Sequence, residues 1–171
     1  SFESVKPVRR LMEFRVGFGY DVHQLREGID FWLGGIRLDH YKGSYGHSDA
    51  DVLLHVICDA LLGAADARDI GFHFPDTDGK FKGIDSKILL ADTMKIVREK
   101  GYELGNIDAT VCLQQPKIKD HIPAMKQTIA DVLQVHPSKV SVKATTTEKL
   151  GFVGREEGVS AYAVVLINAV G

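Results

Sequence analysis

Residues Phe14 to Asp21 read Phe-Arg-Val-Gly-Phe-Gly-Tyr-Asp, with large apolar side chains at every second position, the two-residue period of a strand. Phe31 to Leu38 predicts a second short strand, interrupted at Gly34-Gly35, where a bulge or close backbone approach is expected. The period changes at Ser48. Val52, Leu53, Val56, Ile57, Ala60 and Leu61 form the apolar stripe of a helix, and Ser48 with Asp51 approximates its capping box. Asp51, His55 and Asp59 recur every four residues on a different, polar face, which puts His55 mid-helix between two carboxylates.

Asp69 to Gly83 is turn-rich and long for a connection, which predicts a functional loop. Asp85 or Ser86 caps a second helix that ends near Lys100, with Gly101 as its stop. Ile107 to Leu113 alternates as a strand ended by Pro116, and Asp120 to Val135 predicts a third helix with Pro123 in its first turn. Val140 to Ala144 and Val159 to Ile167 complete the pattern as strands. The order β-β-α-α-β-α-β-β predicts an α+β fold, a mixed β-sheet covered by helices on one face. Val164 to Ile167 runs apolar without alternation, so the last strand is expected to be buried on both faces, for example against another subunit.

A chain of 171 residues fits one domain with a sizeable core. The first residues carry Lys6, Arg9 and Arg10 without a period, so 1–13 is expected to be a leader or arm and 14–171 the single domain. A net charge of −2 gives no reason to expect nucleic acid or an anionic membrane as partner. No apolar run has the length of a membrane span. Two cysteines, Cys58 and Cys112, make no disulfide framework and fit a reducing compartment.

Asp21 and His23 lie two apart at a strand end and leave the same face. With His55 they would supply three protein ligands, the number of a catalytic zinc site, and Asp51 or Asp59 could orient the imidazole. Spacing alone leaves the alternative open that His23 is a hydrogen-bonded strand residue and His55 faces solvent. Cys58, three residues after His55, is read as a small buried hydrophobe before a fourth ligand. His47-Ser48 sits at the expected helix start, where exposed amides favour a phosphate, while Ser48 itself reads as the cap. Thr145-Thr146-Thr147-Glu148-Lys149 offers hydroxyls to phosphate and a carboxylate to Mg²⁺, though a threonine run is also ordinary strand sequence. Gln115-Pro116-Lys117 could shape a base pocket or be a bare turn, and Arg155 with Glu156 and Glu157 reads as a solvated cluster unless packed at an interface. No Ser-His-Asp or Cys-His nucleophile arrangement stands out. That fits a substrate that brings its own nucleophile, since a phosphate monoester with a second pKa of about 6 is largely dianionic at neutral pH.

In order, Asp-Val-His, His-Ser-Asp-x-Asp-x-x-x-His, Asp-Ile-Gly-x-x-Phe-Pro-Asp-Thr-Asp, Pro-Lys and Lys-Ala-Thr-Thr-Thr-Glu-Lys-Leu-Gly-Phe resemble the 2-C-methyl-D-erythritol 2,4-cyclodiphosphate synthase family of non-mevalonate isoprenoid biosynthesis. The match runs from about Arg15 to Ile167. The resemblance implies a homotrimer with active sites between subunits, acting on a cytidine diphosphate substrate and releasing CMP. It implies Zn²⁺ on Asp21, His23 and His55, and Mg²⁺ or Mn²⁺ on Glu148. His47 and Thr146 would be the catalytic, transition-state-stabilising pair. His47 and Ser48 would contact the methylerythritol phosphate, and Asp21, Val22 and His23 would also bind substrate. Asp69, Ile70 and Gly71, with Phe74, Pro75, Asp76, Thr77 and Asp78, would enclose the erythritol. Leu113, Gln114, Gln115, Pro116, Lys117, Ile118 and Lys119 would form the cytidine pocket, with Thr145, Thr146, Thr147 and Glu148 at the diphosphate. Phe152 and Arg155 would lie near the threefold axis, beside a cavity able to take isoprenoid diphosphates.

Phe18, Tyr20 and Gly79 depart from the family's common histidine, phenylalanine and proline, replacing no expected ligand. A bacterial cytoplasmic location is expected ahead of a plastid-type organelle. Two rival readings stand beside the synthase: a metal-dependent nucleotide phosphodiester hydrolase, and a non-catalytic trimer that binds metal and isoprenoid diphosphate.

Overall fold

The computed structural model describes residues 13–171, so the expected leader lies outside the described residues except for Glu13. Glu13 already belongs to the fold, since its carbonyl accepts a hydrogen bond from the Ala169 amide.

Strands β1 (Phe14–Glu27), β4 (Lys42–Tyr45), β5 (Tyr102–Cys112), β6 (Val140–Thr145) and β7 (Gly158–Ala169) form one sheet in the order β4-β1-β7-β5-β6. Only the β5–β6 pair is parallel, so the sheet is mixed as expected. Helices α1 (Val52–Ala64), α3 (Ser86–Glu99) and α4 (Ile122–Leu133) cover one face, and short turns α2 (Ile70–His73) and α5 (Gly151–Gly154) lie in the connections.

Several boundaries differ from expectation for identifiable reasons. Strand β1 runs on past Asp21 because β7 and then β4 continue to pair with it, so Asp21 and His23 lie within the strand. Phe31 to Leu38 is a hairpin of β2 (Phe31–Leu33) and β3 (Ile36–Leu38), and Gly34-Gly35 is its two-residue turn rather than a bulge. Both glycines have positive φ, the backbone such a turn demands. Helix α1 starts at Val52, four residues after Ser48, because Asp51 is the residue that caps it, accepting from the Leu54 amide at 3.1 Å. The fully buried Asp51 carboxylate also accepts from the Gly34 and Gly35 amides at 2.9 and 2.7 Å, so one side chain ties hairpin turn to helix start. Asp51 is therefore not on a polar face.

Helix α1 is buried nearly all round, Leu54, Cys58 and Leu62 as well as the expected stripe, because α3 packs on the side away from the sheet. Its sheet-facing side lies closer to β1 than side chains allow. A Cβ on Gly17 would fall 1.8 Å from the Ala60 carbonyl oxygen, and one on Gly19 2.2 Å from that of Val56. The alternation of β1 thus directs glycines, then Asp21 and His23, toward α1.

The other face of the sheet is uncovered among the described residues. Phe14, Val16, Phe18, Tyr20 and Val22 of β1 and Tyr162 and Val164 of β7 are exposed there. Strand β7 alternates across its apolar run, so burial on both faces is not met within one chain. Phe18 and Tyr20 each pack against the Tyr162 ring on this face.

Gly19→Ala should lower the unfolding free energy by about 1–3 kcal/mol, the range for overpacking a site that must shift to admit an extra carbon. Urea unfolding checks this, and an unchanged midpoint would show that α1 does not press on β1.

Candidate active site

Asp21 and His23 leave β1 toward α1, and His55, in the first turn of that helix, descends onto them. His23 Nε2 lies 2.9 Å from Asp21 Oδ2, His55 Nδ1 lies 3.2 Å from the same oxygen, and the two ring nitrogens are 3.1 Å apart. His55 is only 9% exposed, which excludes the solvent-facing alternative, and its position one turn into the helix replaces the mid-helix one expected.

The electrostatics of the cluster reinforce it. Burial pushes the Asp21 carboxyl up, but hydrogen bonds and charge from His23 and His55 outweigh that and hold it well below the usual carboxylate range. Burial pulls the His23 pKa down, yet the Asp21 hydrogen bond and charge leave it raised above 6.5. One carboxylate oxygen and two imidazole nitrogens within 4.8 Å of one another, open to a cavity, suit a divalent cation with free coordination positions. Cys58 adds nothing to this set: it is fully buried, and burial pushes its thiol up to about 12.

Neither Asp51 nor Asp59 orients the imidazole. His55 Nε2 instead meets the Ser86 hydroxyl at 2.8 Å and the Ser48 hydroxyl at 3.1 Å, and Ser86 is bonded through both Oγ and N–H to Asp49. Ser86 had read only as a helix cap, because nothing in local spacing links residues 37 apart. Asp59 accepts the Ile70 amide at 3.1 Å and so anchors the loop that follows α1. Ser48, His55 and Asp21 form the hydrogen-bonded Ser-His-Asp series that did not stand out in the sequence. It differs from a hydrolytic triad in that Nε2 is shared between two serines and the aspartate oxygen between two histidines.

The centre opens into a cavity of about 480 Å³ whose lining includes His47, Ser48, Asp69, Ile70, Gly71, Phe74 and Asp76. The expected loop is ordered by its own capping. Asp69 accepts from the Phe72 amide at the start of α2, and Asp78 from the Lys80 amide at a 3₁₀ turn over Gly79–Phe81. His47 Nε2 lies 3.2 Å from the Asp78 carbonyl oxygen, joining the two walls. Pro75, Thr77 and Asp78 belong to this loop without lining the cavity, and Val22 turns its side chain to the opposite face of the sheet. Because α1 begins at Val52, His47-Ser48 is not its first turn, so the amide and dipole argument for a phosphate there does not apply. Tyr20, Tyr45, Phe81, Ile84 and Leu89 also line the cavity, and no local spacing signals it because long-range packing brings them together.

A second cavity of about 150 Å³ is lined by Leu113, Pro116, Lys117, Ile118 and Lys119 with Ala144, Thr145 and Thr146. Gln114 accepts the Lys149 amide through its side chain, and Thr146 Oγ1 accepts the Glu148 amide at 3.3 Å, while Gln115 is exposed. Thr147 donates to the Leu150 carbonyl, and exposed Glu148, at φ +54°, does not join the Asp21–His23–His55 cluster. Val22, Ser160, Cys112 and Thr145 are successive partners across four strands. Three inter-strand steps of about 4.8 Å therefore separate the two cavities by about 14 Å along one end of the sheet. Arg155 pairs with Glu157 at 2.9 Å on the surface, and Phe152 packs beside Gly158.

An α+β protein whose sheet and first helix together build an Asp-His-His cluster able to hold a metal ion is the class that fold and site define. Residues 14–168 match the YgbB family model, and the chain belongs to the YgbB family. It is 66% identical over 157 residues to the 2-C-methyl-D-erythritol 2,4-cyclodiphosphate synthase of Bacteroides thetaiotaomicron, covering 92% of this chain and 99% of that protein. The synthase of Parabacteroides distasonis is 65% identical over 160 residues, 94% of this chain and 99% of its own. Among solved structures, the bifunctional IspDF of Campylobacter jejuni matches with a TM-score of 0.89 at 46% identity, over 92% of this chain and 43% of that one. IspF of Plasmodium falciparum in its CDP complex matches at 0.81 and 33%, over 92% and 97%.

Metal affinity should fall as pH drops. A proton on His23 excludes the cation, and because Asp21 raises the His23 pKa, the loss should begin above 6.5 rather than below it. Chelator-competition titrations with Zn²⁺ between about pH 5.5 and 8 read this out, and a pH-independent affinity would contradict imidazole ligation.

Proposed function

We propose that the chain converts 4-diphosphocytidyl-2-C-methyl-D-erythritol 2-phosphate into the 2,4-cyclodiphosphate with release of CMP, as a metal-dependent phosphorus–oxygen lyase of isoprenoid biosynthesis. The observation that carries this reading is the convergence of Asp21, His23 and His55 on the wall of a cavity walled also by His47, Ser48 and the Asp69–Asp78 loop. Relatives 65 and 66% identical over nearly the whole chain bear the synthase name.

In this reaction an oxygen of the substrate's 2-phosphate forms a bond to its own β-phosphorus, and the bond from that phosphorus to the bridging oxygen of the CMP moiety breaks. The chain then needs no nucleophile of its own. Asp21, His23 and His55 would hold a divalent cation, which we assign as zinc and which would supply Lewis-acid charge neutralisation. His47, tied to the loop through the Asp78 carbonyl, would line the erythritol phosphate, and Ser48, whose oxygen already accepts the Ala50 amide, would donate its hydroxyl proton to it. The capped loop from Asp69 folds the flexible erythritol part, and such orientation is a large share of any ring closure. Leu113 to Lys119 with Thr145 and Thr146 would hold the cytidine diphosphate, Thr146 sharing with His47 the stabilisation of charge, and Glu148 would hold Mg²⁺ or Mn²⁺ there.

The uncovered apolar face and the separation of the two cavities support a trimer in which the nucleotide half of one chain meets the cation centre of the next. Phe152 and Arg155 would then face the axis and a cavity for isoprenoid diphosphates. We place the protein in the bacterial cytoplasm, in line with its bacterial relatives. Among the described residues no helix is long and apolar enough to cross a membrane.

The Ser48–His55–Asp21 series favours one other reading, a hydrolase in which His55 activates Ser48 and water ends the reaction. Phosphorus NMR of the substrate incubated with the protein separates the two. The cyclic diphosphate with an equimolar amount of CMP is expected, and a linear monophosphate, or a Ser48 labelled by a fluorophosphonate, would contradict the synthase. His55→Ala should lose Zn²⁺ and reduce turnover by more than about 100-fold while the circular dichroism of the fold is retained. Turnover retained without bound metal would overturn the assignment.

A further inference from the structure

Ser86 is fully buried at the first position of α3, and its hydroxyl sits between two groups that differ in what they can exchange. On one side is Asp49, whose Oδ2 accepts the Ser86 amide at 2.9 Å and whose Oδ1 lies in hydrogen-bond contact with Ser86 Oγ. On the other is His55 Nε2, 2.8 Å from the same Oγ. An ionised carboxylate accepts only. The Ser86 hydroxyl proton therefore goes to Asp49, and its lone pairs remain for His55. A lone pair toward Nε2 calls for a proton on Nε2, and neutral imidazole then carries its own lone pair on Nδ1, the atom that faces Asp21 and His23.

We propose that Asp49 and Ser86 are positioning residues that fix His55 as the Nε2–H tautomer and so present Nδ1 to the cation. The proposal rests on the reading of Asp21, His23 and His55 as a divalent-cation centre. Direction along the chain is set at Asp49, because the carboxylate is the one member that cannot reverse. Ser48 Oγ, 3.1 Å from Nε2 and already accepting the Ala50 amide, is a second and longer acceptor for the same proton, so its own hydrogen stays available to a ligand in the cavity. Asp49 is held in turn by its amide, which donates to the Ile84 carbonyl two residues before Ser86, so the loop before α1 and the start of α3 are clamped together around the imidazole.

The two residues can be separated from packing by the direction of the hydrogen bonds. Asp49→Asn keeps size and shape, but either orientation of its amide sets an NH₂ against a donor, the Ser86 N–H in one and the Ser86 hydroxyl with the Asp51 N–H in the other. Both weaken the hold that keeps the Ser86 hydroxyl turned away from Nε2, and with it the preference for the tautomer that leaves Nδ1 free. Ser86→Ala removes the link altogether.

Zn²⁺ affinity measured by chelator competition at neutral pH, with the melting temperature of the metal-free protein as the folding control, tests this. Each variant should bind Zn²⁺ about 10–100-fold more weakly than the wild type, the usual effect of losing a group that orients a ligand. The double variant should bind no more weakly than the weaker single one, because both act through one hydrogen bond. In the ¹⁵N-labelled, zinc-loaded wild type the His55 Nε2–H should be an exchange-protected resonance. An unprotected resonance, affinities within about threefold of the wild type, or losses that multiply in the double variant would each overturn the relay. A wild type that does not bind Zn²⁺ would overturn the cation centre itself, an outcome distinct from variants that bind as well as the wild type.

Discussion

The structure depends on how closely helix α1 lies against strand β1. The Ala60 and Val56 carbonyls press on Gly17 and Gly19, where no side chain fits between the two backbones. Four residues of helix advance about 6.0 Å and two residues of strand about 6.8 Å, so the two repeats stay nearly in step. One further step along the same register brings the first turn of the helix over position 21. The chain puts Asp21 there instead of a third glycine, and His55 of that first turn meets it. The approach that removes side chains at two positions thus creates the contact between functional side chains at the next. Asp51, capping the helix and holding the hairpin turn through three backbone amides, fixes where that first turn begins.

From this follows the distribution of charge. Both imidazoles turn one nitrogen toward the same Asp21 oxygen, His23 its Nε2 and His55 its Nδ1, so each presents a definite atom to the centre. The outer nitrogen of His55 is held between the Ser86 and Ser48 hydroxyls. The result is a centre preorganised for a cation and arranged against acid–base use of His55. That is the physical ground for reading the Ser48–His55–Asp21 series as ligand support rather than a nucleophile. The second cavity lies three strands away in the same chain.

Much of this was legible in the sequence, and the parts that were not share a cause. Asp21, His23 and His55 could be proposed from strand period and motif order, because each periodicity is local. The mixed sheet and its helical cover followed from the order of elements. The start of α1 was misplaced because Ser48 and Asp51 are both good caps, and only the hairpin amides decide for Asp51. The hairpin at Gly34-Gly35 read as one strand because its arms are three residues each, too short to show a period. Strand β4, Lys-Gly-Ser-Tyr, has no apolar alternation, and its pairing with β1 is a long-range contact. Ser86 and Asp49 were invisible as partners of His55, since they meet it only through the packing of α3 on α1.

The claim that the α1–β1 contact builds one cation centre is tested most directly by anomalous diffraction at the zinc edge, on crystals grown with Zn²⁺. The account predicts one strong peak per chain bonded to an Asp21 carboxylate oxygen, His23 Nε2 and His55 Nδ1. A peak on other side chains, or none between these three, would contradict it.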